Sequence, residues 1–213
     1  MRQIDSAGYE VVKKVLSAQT LQLLETYYYI KFHINQEYTL KAGNVERDQD
    51  RDIVLPFSIM SYADRITESL LALLHPTMVN ATGVKNLMPA YSFVRYYHTG
   101  NWLEMHKDRP SCQYSVTLPL SKGCDTPWPI FVSRDAEQNR TSVDLDMGDI
   151  LIYKGEELQH WREPYKGEFQ VQAHLHYVDA DDPKYAPHIF DGRPGIGYTW
   201  EDMSKKDEKK PLK

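Results

Sequence analysis

The chain has 213 residues, 41% of them hydrophobic and 26% charged. That excludes a wholly disordered polypeptide and suits one compact body with a core of its own. Lys plus Arg number 25 against 30 Asp plus Glu, a net charge of −5, which argues against a general nucleic-acid footprint.

No run of apolar residues approaches the 18 or so of a membrane span. The first residues, Met1 to Asp5, contain no apolar signal core, so no secretory leader is expected. Two cysteines, Cys112 and Cys124, cannot build a disulfide framework. A reducing, cytoplasmic setting is the default expectation. Tyrosines number 15 against 6 phenylalanines, and there are 8 histidines. Side chains with an apolar body and a polar tip suit pocket walls.

The first third, from about residue 10 to 85, reads as helical. Ser17 caps a segment whose Leu21, Leu24, Tyr28 and Phe32 form one stripe. Arg47 to Asp52 reads as a solvated loop. A second helix starts near Ser58 or Ser61 and carries Tyr62, Ile66, Leu70, Leu73 and Leu74. His75-Pro76 is expected to kink or end it.

From about residue 90 to 180 the period changes to that of strands. These are expected at Tyr91–Tyr97, Gln113–Leu120, Pro129–Ser133, Ser142–Leu145, Ile150–Tyr153 and Phe169–Val178. Turn signals such as Thr99-Gly100-Asn101 and Met147-Gly148-Asp149 separate them. The predicted class is α+β: a jelly roll or double-stranded β-helix, cupin-like, with the N-terminal helices packed on one sheet. Residues 1–203 form a single domain in this reading. The Lys- and Glu-rich stretch 204–213 is a disordered tail.

His106-Lys107-Asp108 is a His-x-Asp triplet. In a strand, positions i and i+2 share a face. An imidazole and a carboxylate so placed can hold one metal, and a second histidine would complete a facial triad with open positions. Such triplets are common by chance. Context raises this one: a Gly-Asp turn and an apolar strand, Gly148 to Tyr153, are followed by His160, 54 residues beyond His106. The last strand alternates. Gln170, Gln172, His174 and His176 share one face, and Val171, Ala173, Leu175 and Tyr177 the other. The polar face either meets water or lines a wet cavity.

Five stretches carry a resemblance: Arg95-Tyr96-Tyr97-His98-Thr99-Gly100, His106-Lys107-Asp108-Arg109, Trp128-Pro129-Ile130-Phe131, Gly148 to Gly155, and Glu157 to Pro164. Gln172 to Tyr177 and Phe190-Asp191-Gly192-Arg193-Pro194 add to it. Together they resemble iron(II)/2-oxoglutarate-dependent dioxygenases of the prolyl 4-hydroxylase type, and more closely a group of short oxygenases of the same superfamily. The resemblance spans about residues 90 to 194.

It implies iron(II) held by His106, Asp108 and His160, with 2-oxoglutarate as co-substrate and O₂ as oxidant. It implies hydroxylation of an unactivated C–H bond, coupled to release of succinate and CO₂. The carboxylate at position 108 speaks for hydroxylation over halogenation. The family usually places an Arg or Lys at the start of the last strand to hold the far carboxylate of 2-oxoglutarate. Gln170 stands there in this chain. Arg162 is the expected replacement, because a guanidinium can fork onto a carboxylate. Its alternative is a surface ion pair with Glu163 or Glu157. Tyr97, Thr117, Gln172, His174 and His176 are expected around the same co-substrate. Trp102, Arg95, Arg109, Tyr96 and Trp128 are candidates for the substrate mouth.

The expected substrate is a small molecule of amino-acid type. A prolyl or other peptidyl side chain is the nearest alternative, followed by a cupin-like metalloenzyme that uses no 2-oxoglutarate. A non-catalytic jelly-roll module is disfavoured by the intact set of three ligands.

Overall fold

The computed structural model describes residues 2–34, 59–135 and 138–199. The segments around Arg47–Asp52 and Ser58, and the tail 204–213, lie outside them. The chain opens with a short helix α1 (Gln3–Ala7), a strand β1 (Tyr9–Val12) and a helix α2 (Ala18–Tyr29). The Ser17 Oγ accepts from the Thr20 amide at 3.1 Å, the cap expected from the sequence. Leu24 and Tyr28 face inward from α2, and Phe32 extends their stripe through a π-helical turn.

Strand β2 (Ile59–Tyr62) comes next. The predicted helix begins later than expected, as α3 (Arg65–Thr82) capped by Asp64, whose side chain accepts from the Ile66 amide. Tyr62 is therefore a strand residue. With β1 and β2, the N-terminal part is also less purely helical than the sequence pattern suggests. Pro76 does not end α3, which continues to Thr82 and stops where Gly83 takes φ 70°. The apolar stripe explains this. Leu70, Leu71, Leu74, Met78 and Ala81 are buried on both sides of the proline. Their packing outweighs the hydrogen bond that proline cannot donate.

Eight more strands follow: β3 (Leu87–His98), β4 (Leu103–His106), β5 (Tyr114–Lys122), β6 (Ile130–Ser133), β7 (Thr141–Val143), β8 (Ile150–Tyr153), β9 (Gln159–Arg162) and β10 (Phe169–Asp179). A six-stranded sheet runs β1-β8-β5-β10-β3-β2, and a four-stranded sheet β4-β9-β6-β7. All pairings are antiparallel. From β3 onward the chain alternates between the sheets, with β7 added as a hairpin partner of β6. That winding is a double-stranded β-helix. Helices α2 and α3 cover the outer face of the large sheet. The main core lies there, built from Tyr28, Phe32, Leu74, Tyr96, Val116, Leu118, Ala173 and Leu175, among others. The inner face turns toward the small sheet.

The C-terminal stretch returns across the sheet edge through a 3₁₀ segment (Ala186–Gly192). A buried ion pair fastens it. Arg193 Nη1 lies 3.0 Å from Glu68 Oε2 on α3, with side chains 0% and 1% exposed. Glu68 also accepts from the Ser92 and Gly197 amides, and Arg193 donates to the Ala90 carbonyl. Replacing Glu68 by alanine leaves a guanidinium buried without its counter-charge. That should cost about 3–5 kcal/mol, measured by urea unfolding.

Candidate metal centre

Strands β4 and β9 are neighbours in the small sheet, and His106 is the cross-strand partner of His160. Their rings lie 4.1 Å apart, centroid to centroid. Each ring is fixed from behind. Nδ1 of His106 is 2.8 Å from the Glu104 carbonyl, and Nδ1 of His160 is 3.1 Å from the Leu158 carbonyl. A carbonyl only accepts, so Nδ1 carries a proton in both rings, and Nε2 is the nitrogen left to face a cation. Both Nε2 atoms lie 3.5 Å from the same oxygen, Asp108 Oδ1.

Asp108 reaches this point from outside the strand. β4 ends at His106, so the carboxylate is aimed by a loop and not by the strand pleat, as the triplet spacing alone suggested. Its amide donates to the Gly155 carbonyl at 3.0 Å, and its Oδ2 accepts from Ser115 Oγ at 2.9 Å. Burial alone would raise its pKa. The facing His160 and His106 outweigh burial and hold the carboxyl well below its usual range. Two imidazoles and a carboxylate, all within 4.8 Å of one another, form a compact donor set for one cation. This 2-His-1-carboxylate chemistry fits iron(II) with positions left open.

No family model matches the sequence, and no curated protein matches it. Solved structures do. A prolyl hydroxylase from Trichoplax adhaerens, in complex with a hypoxia inducible factor oxygen degradation domain peptide fragment, superimposes with a TM-score of 0.61. It covers 86% of this chain and 88% of its own at 14% identity. An oxidoreductase of the 2OG-Fe(II) oxygenase family from Burkholderia pseudomallei gives 0.56 at 12% identity, over 83% and 88%. HygX from Streptomyces hygroscopicus, with nickel and 2-oxoglutarate bound, gives 0.55 at 13% identity, over 84% and 85%. The fold is that of the 2OG-Fe(II) oxygenases.

Within this oxygenase fold a cavity of about 760 Å³ opens beside the triad. Tyr97, Arg95, Arg109, His174 and His176 line it together with His106, Asp108 and His160. All eight were singled out from the sequence. Of the inward set on β10, His174 and His176 thus face a cavity and not bulk water, while Gln170 and Gln172 are buried beyond its wall. His176 Nδ1 lies 2.9 Å from Ser115 Oγ, which links it to Asp108. Burial pushes the His176 pKa down to about 4.

Arg162, Gln172 and Thr117 share the inner face but lie outside the cavity wall. Arg162 is 2% exposed and has no ion pair among the described residues. The surface alternative fails, because Glu163 pairs with Arg140 and Glu157 with Arg134 and Lys154. The Arg162 guanidinium stacks on Trp128 at 4.6 Å, and one Nη donates to the Trp128 carbonyl. Its other Nη is 3.2 Å from the Gln172 amide oxygen, which also accepts from Gln170 Nε2 at 2.6 Å. These last contacts assign the Gln172 amide in the orientation that satisfies both its ends. Nε of Arg162 has no partner among the described residues. Burial lowers the guanidinium pKa to about 10. A cation thus stands beside Gln170, delivered from β9 instead of β10.

Three candidates for the substrate mouth fall elsewhere. Tyr96 points outward into the helix-covered core, stacked on Phe169 and packed against the tilted ring of Phe32. It follows Arg95 and precedes Tyr97, and on a strand the intermediate residue faces the other side. Trp128 is buried against Tyr97 and Tyr165, and Trp102 does not reach the cavity.

Among the wall residues that sequence reasoning missed are Tyr62, Tyr91, Phe93 and Asp191. Period-2 alternation around Arg95 would have found Tyr91 and Phe93. Asp191 was quoted only within a motif. Gly155 was quoted too, without a role. A Cβ there would lie 2.3 Å from Asp108 Oδ2 and 2.4 Å from the Cys112 carbonyl. Gly155→Ala must push the carboxylate aside. Metal affinity should fall at least about tenfold, as for other groups that orient ligands. Metal titration beside a circular dichroism spectrum of wild-type shape checks it.

Proposed function

We propose that the chain is a 2-oxoglutarate-dependent iron(II) oxygenase that hydroxylates a C–H bond of a small, amino-acid-type molecule. The observation that carries this is the convergence of two Nε2 atoms and one carboxylate oxygen at the wall of a cavity. His106, Asp108 and His160 would hold the iron. Iron(II) with 2-oxoglutarate and O₂ supplies the oxidising power, releasing succinate and CO₂ as one oxygen atom enters the substrate.

The protein's part is positional. The backbone carbonyls of Glu104 and Leu158 hold the imidazoles in one tautomer. Ser115 holds the far oxygen of Asp108. Arg162, buried without a counter-charge, is suited to the far carboxylate of 2-oxoglutarate. Tyr97, Gln172, Thr117 and His174 stand around that end. A volume of about 760 Å³ falls within the usual range of small-molecule pockets, which supports a small substrate over a folded protein. The two free cysteines and the absence of a long apolar helix among the described residues are compatible with a cytoplasmic enzyme.

Titrating 2-oxoglutarate into the anaerobic iron(II) protein tests the reading. Binding that requires iron, followed by succinate release on admitting air, is the expected result. No binding would favour a cupin-like metalloenzyme without 2-oxoglutarate, the reading that Gln170 speaks for.

A further inference from the structure

The cavity carries a second pair of opposite charges, away from the metal ligands. Arg109 follows Asp108 directly, and its guanidinium forks onto Asp191. Nη1 lies 3.0 Å from Oδ1, and Nη2 2.9 Å from Oδ2. Tyr62 donates its hydroxyl to Asp191 Oδ2 at 2.6 Å. Both charged groups line the cavity.

The pair is built, not incidental. Asp191 and Phe190 both take left-handed backbone angles, with φ 53° and 52°. Non-glycine residues hold such angles only where their surroundings over-determine them. Here the buried Glu68–Arg193 ion pair fastens the segment two residues on. Arg109 lies over the Tyr91 ring at 4.8 Å, and Tyr91 packs on His176 at 4.4 Å. His176 reaches Asp108 through Ser115. Side-chain contacts through Tyr91, His176 and Ser115 therefore join the pair to Asp108, on the same cavity.

Its chemistry is incomplete as it stands. The fork uses one N–H from each Nη of Arg109 and leaves the others free for an anion. Asp191 Oδ1, which accepts only from Arg109, keeps a lone pair for a cation, and the Arg109 side chain is 49% exposed. A neutral ligand gains little from this arrangement. A lone anion or cation is attracted by one half and repelled by the other. A zwitterion closes a ring of alternating charges.

Resting on the oxygenase reading above, we infer that Arg109 and Asp191 select a free α-amino acid, its carboxylate on Arg109 and its ammonium on Asp191. A residue within a peptide has neither charge at its backbone. The pair therefore excludes peptidyl substrates.

The probes are the free proteinogenic α-amino acids, their N-acetyl forms and their carboxamides. Each is titrated into the anaerobic protein loaded with iron(II) and 2-oxoglutarate. At least one free amino acid should bind, and its two derivatives at least about tenfold more weakly, one charge-assisted hydrogen bond being lost in each. Asp191→Asn should erase the discrimination against the N-acetyl form. Arg109→Leu should erase that against the carboxamide. Each comparison is a ratio within one variant, so a loosened fold does not mimic it. The inference is overturned if derivatives bind as well as the free amino acid, or if 2-oxoglutarate binds and no free amino acid does. If 2-oxoglutarate itself fails to bind, the oxygenase reading fails first and this one with it.

Discussion

Asp108→Ala removes the one anionic donor of the triad, and its affinity for iron(II) should fall by more than about 100-fold. Groups that merely orient a ligand already contribute 10- to 100-fold, and this carboxylate is itself the donor. Two imidazoles on adjacent strands remain, fixed by the Glu104 and Leu158 carbonyls. Two nitrogen donors, whatever their protonation, form too sparse a set for a hard dication. The change also strips Ser115 of an acceptor. Manganese(II) titration followed by electron paramagnetic resonance reads the loss. Wild-type affinity in this variant would remove Asp108 from the centre.

Arg162→Met should move stability and co-substrate binding in opposite directions. The guanidinium is buried and lacks an anionic partner among the described residues. A flexible apolar side chain in its place is relieved of that desolvation, a change of about 1–4 kcal/mol in comparable replacements. The unfolding midpoint without 2-oxoglutarate should therefore rise or hold. Affinity for 2-oxoglutarate should drop at least about 30-fold, since losing one partner of a buried charge pair costs about 2–5 kcal/mol. A midpoint series with and without 2-oxoglutarate reads both effects. Arg95 also lines the cavity and provides the control. If Arg95→Met lost the affinity and Arg162→Met kept it, the anchor would belong to β3.

The barrel was legible because its strands announce themselves by alternation and its turns by glycine. β10 is the clearest case: its polar set faces inward, with His174 and His176 on the cavity, and its apolar set, Val171, Ala173, Leu175 and Tyr177, packs under the helices. Strands β4 and β9, which carry the histidines, were not legible as strands. Each has four residues, too few to show a period, and they are held by each other more than by propensity. The proline in α3 does not end its helix, for a related reason. A local signal was outweighed by a stripe of leucines reaching across it. Tyr96 was the hazard of a one-residue register, where a single step exchanges cavity for core. Asp191 could not be read at all. Nothing local announces that position 191 folds back beside position 109. That depends on Arg193 meeting Glu68, 125 residues away.

The same long-range contact bears on synthesis. A ribosome delivers Glu68 well before Arg193, and domains fold as units when their parts are present. A nascent chain that stops short of Arg193 must bury an uncompensated carboxylate or leave the front of α3 open. Its metal ligands, all before residue 161, would already have emerged. The closing of so large a loop comes late, because its entropy is lost before its contacts are gained. The Asp191 side of the cavity wall is thus completed after the metal ligands, and an incomplete chain could hold a metal before it could discriminate.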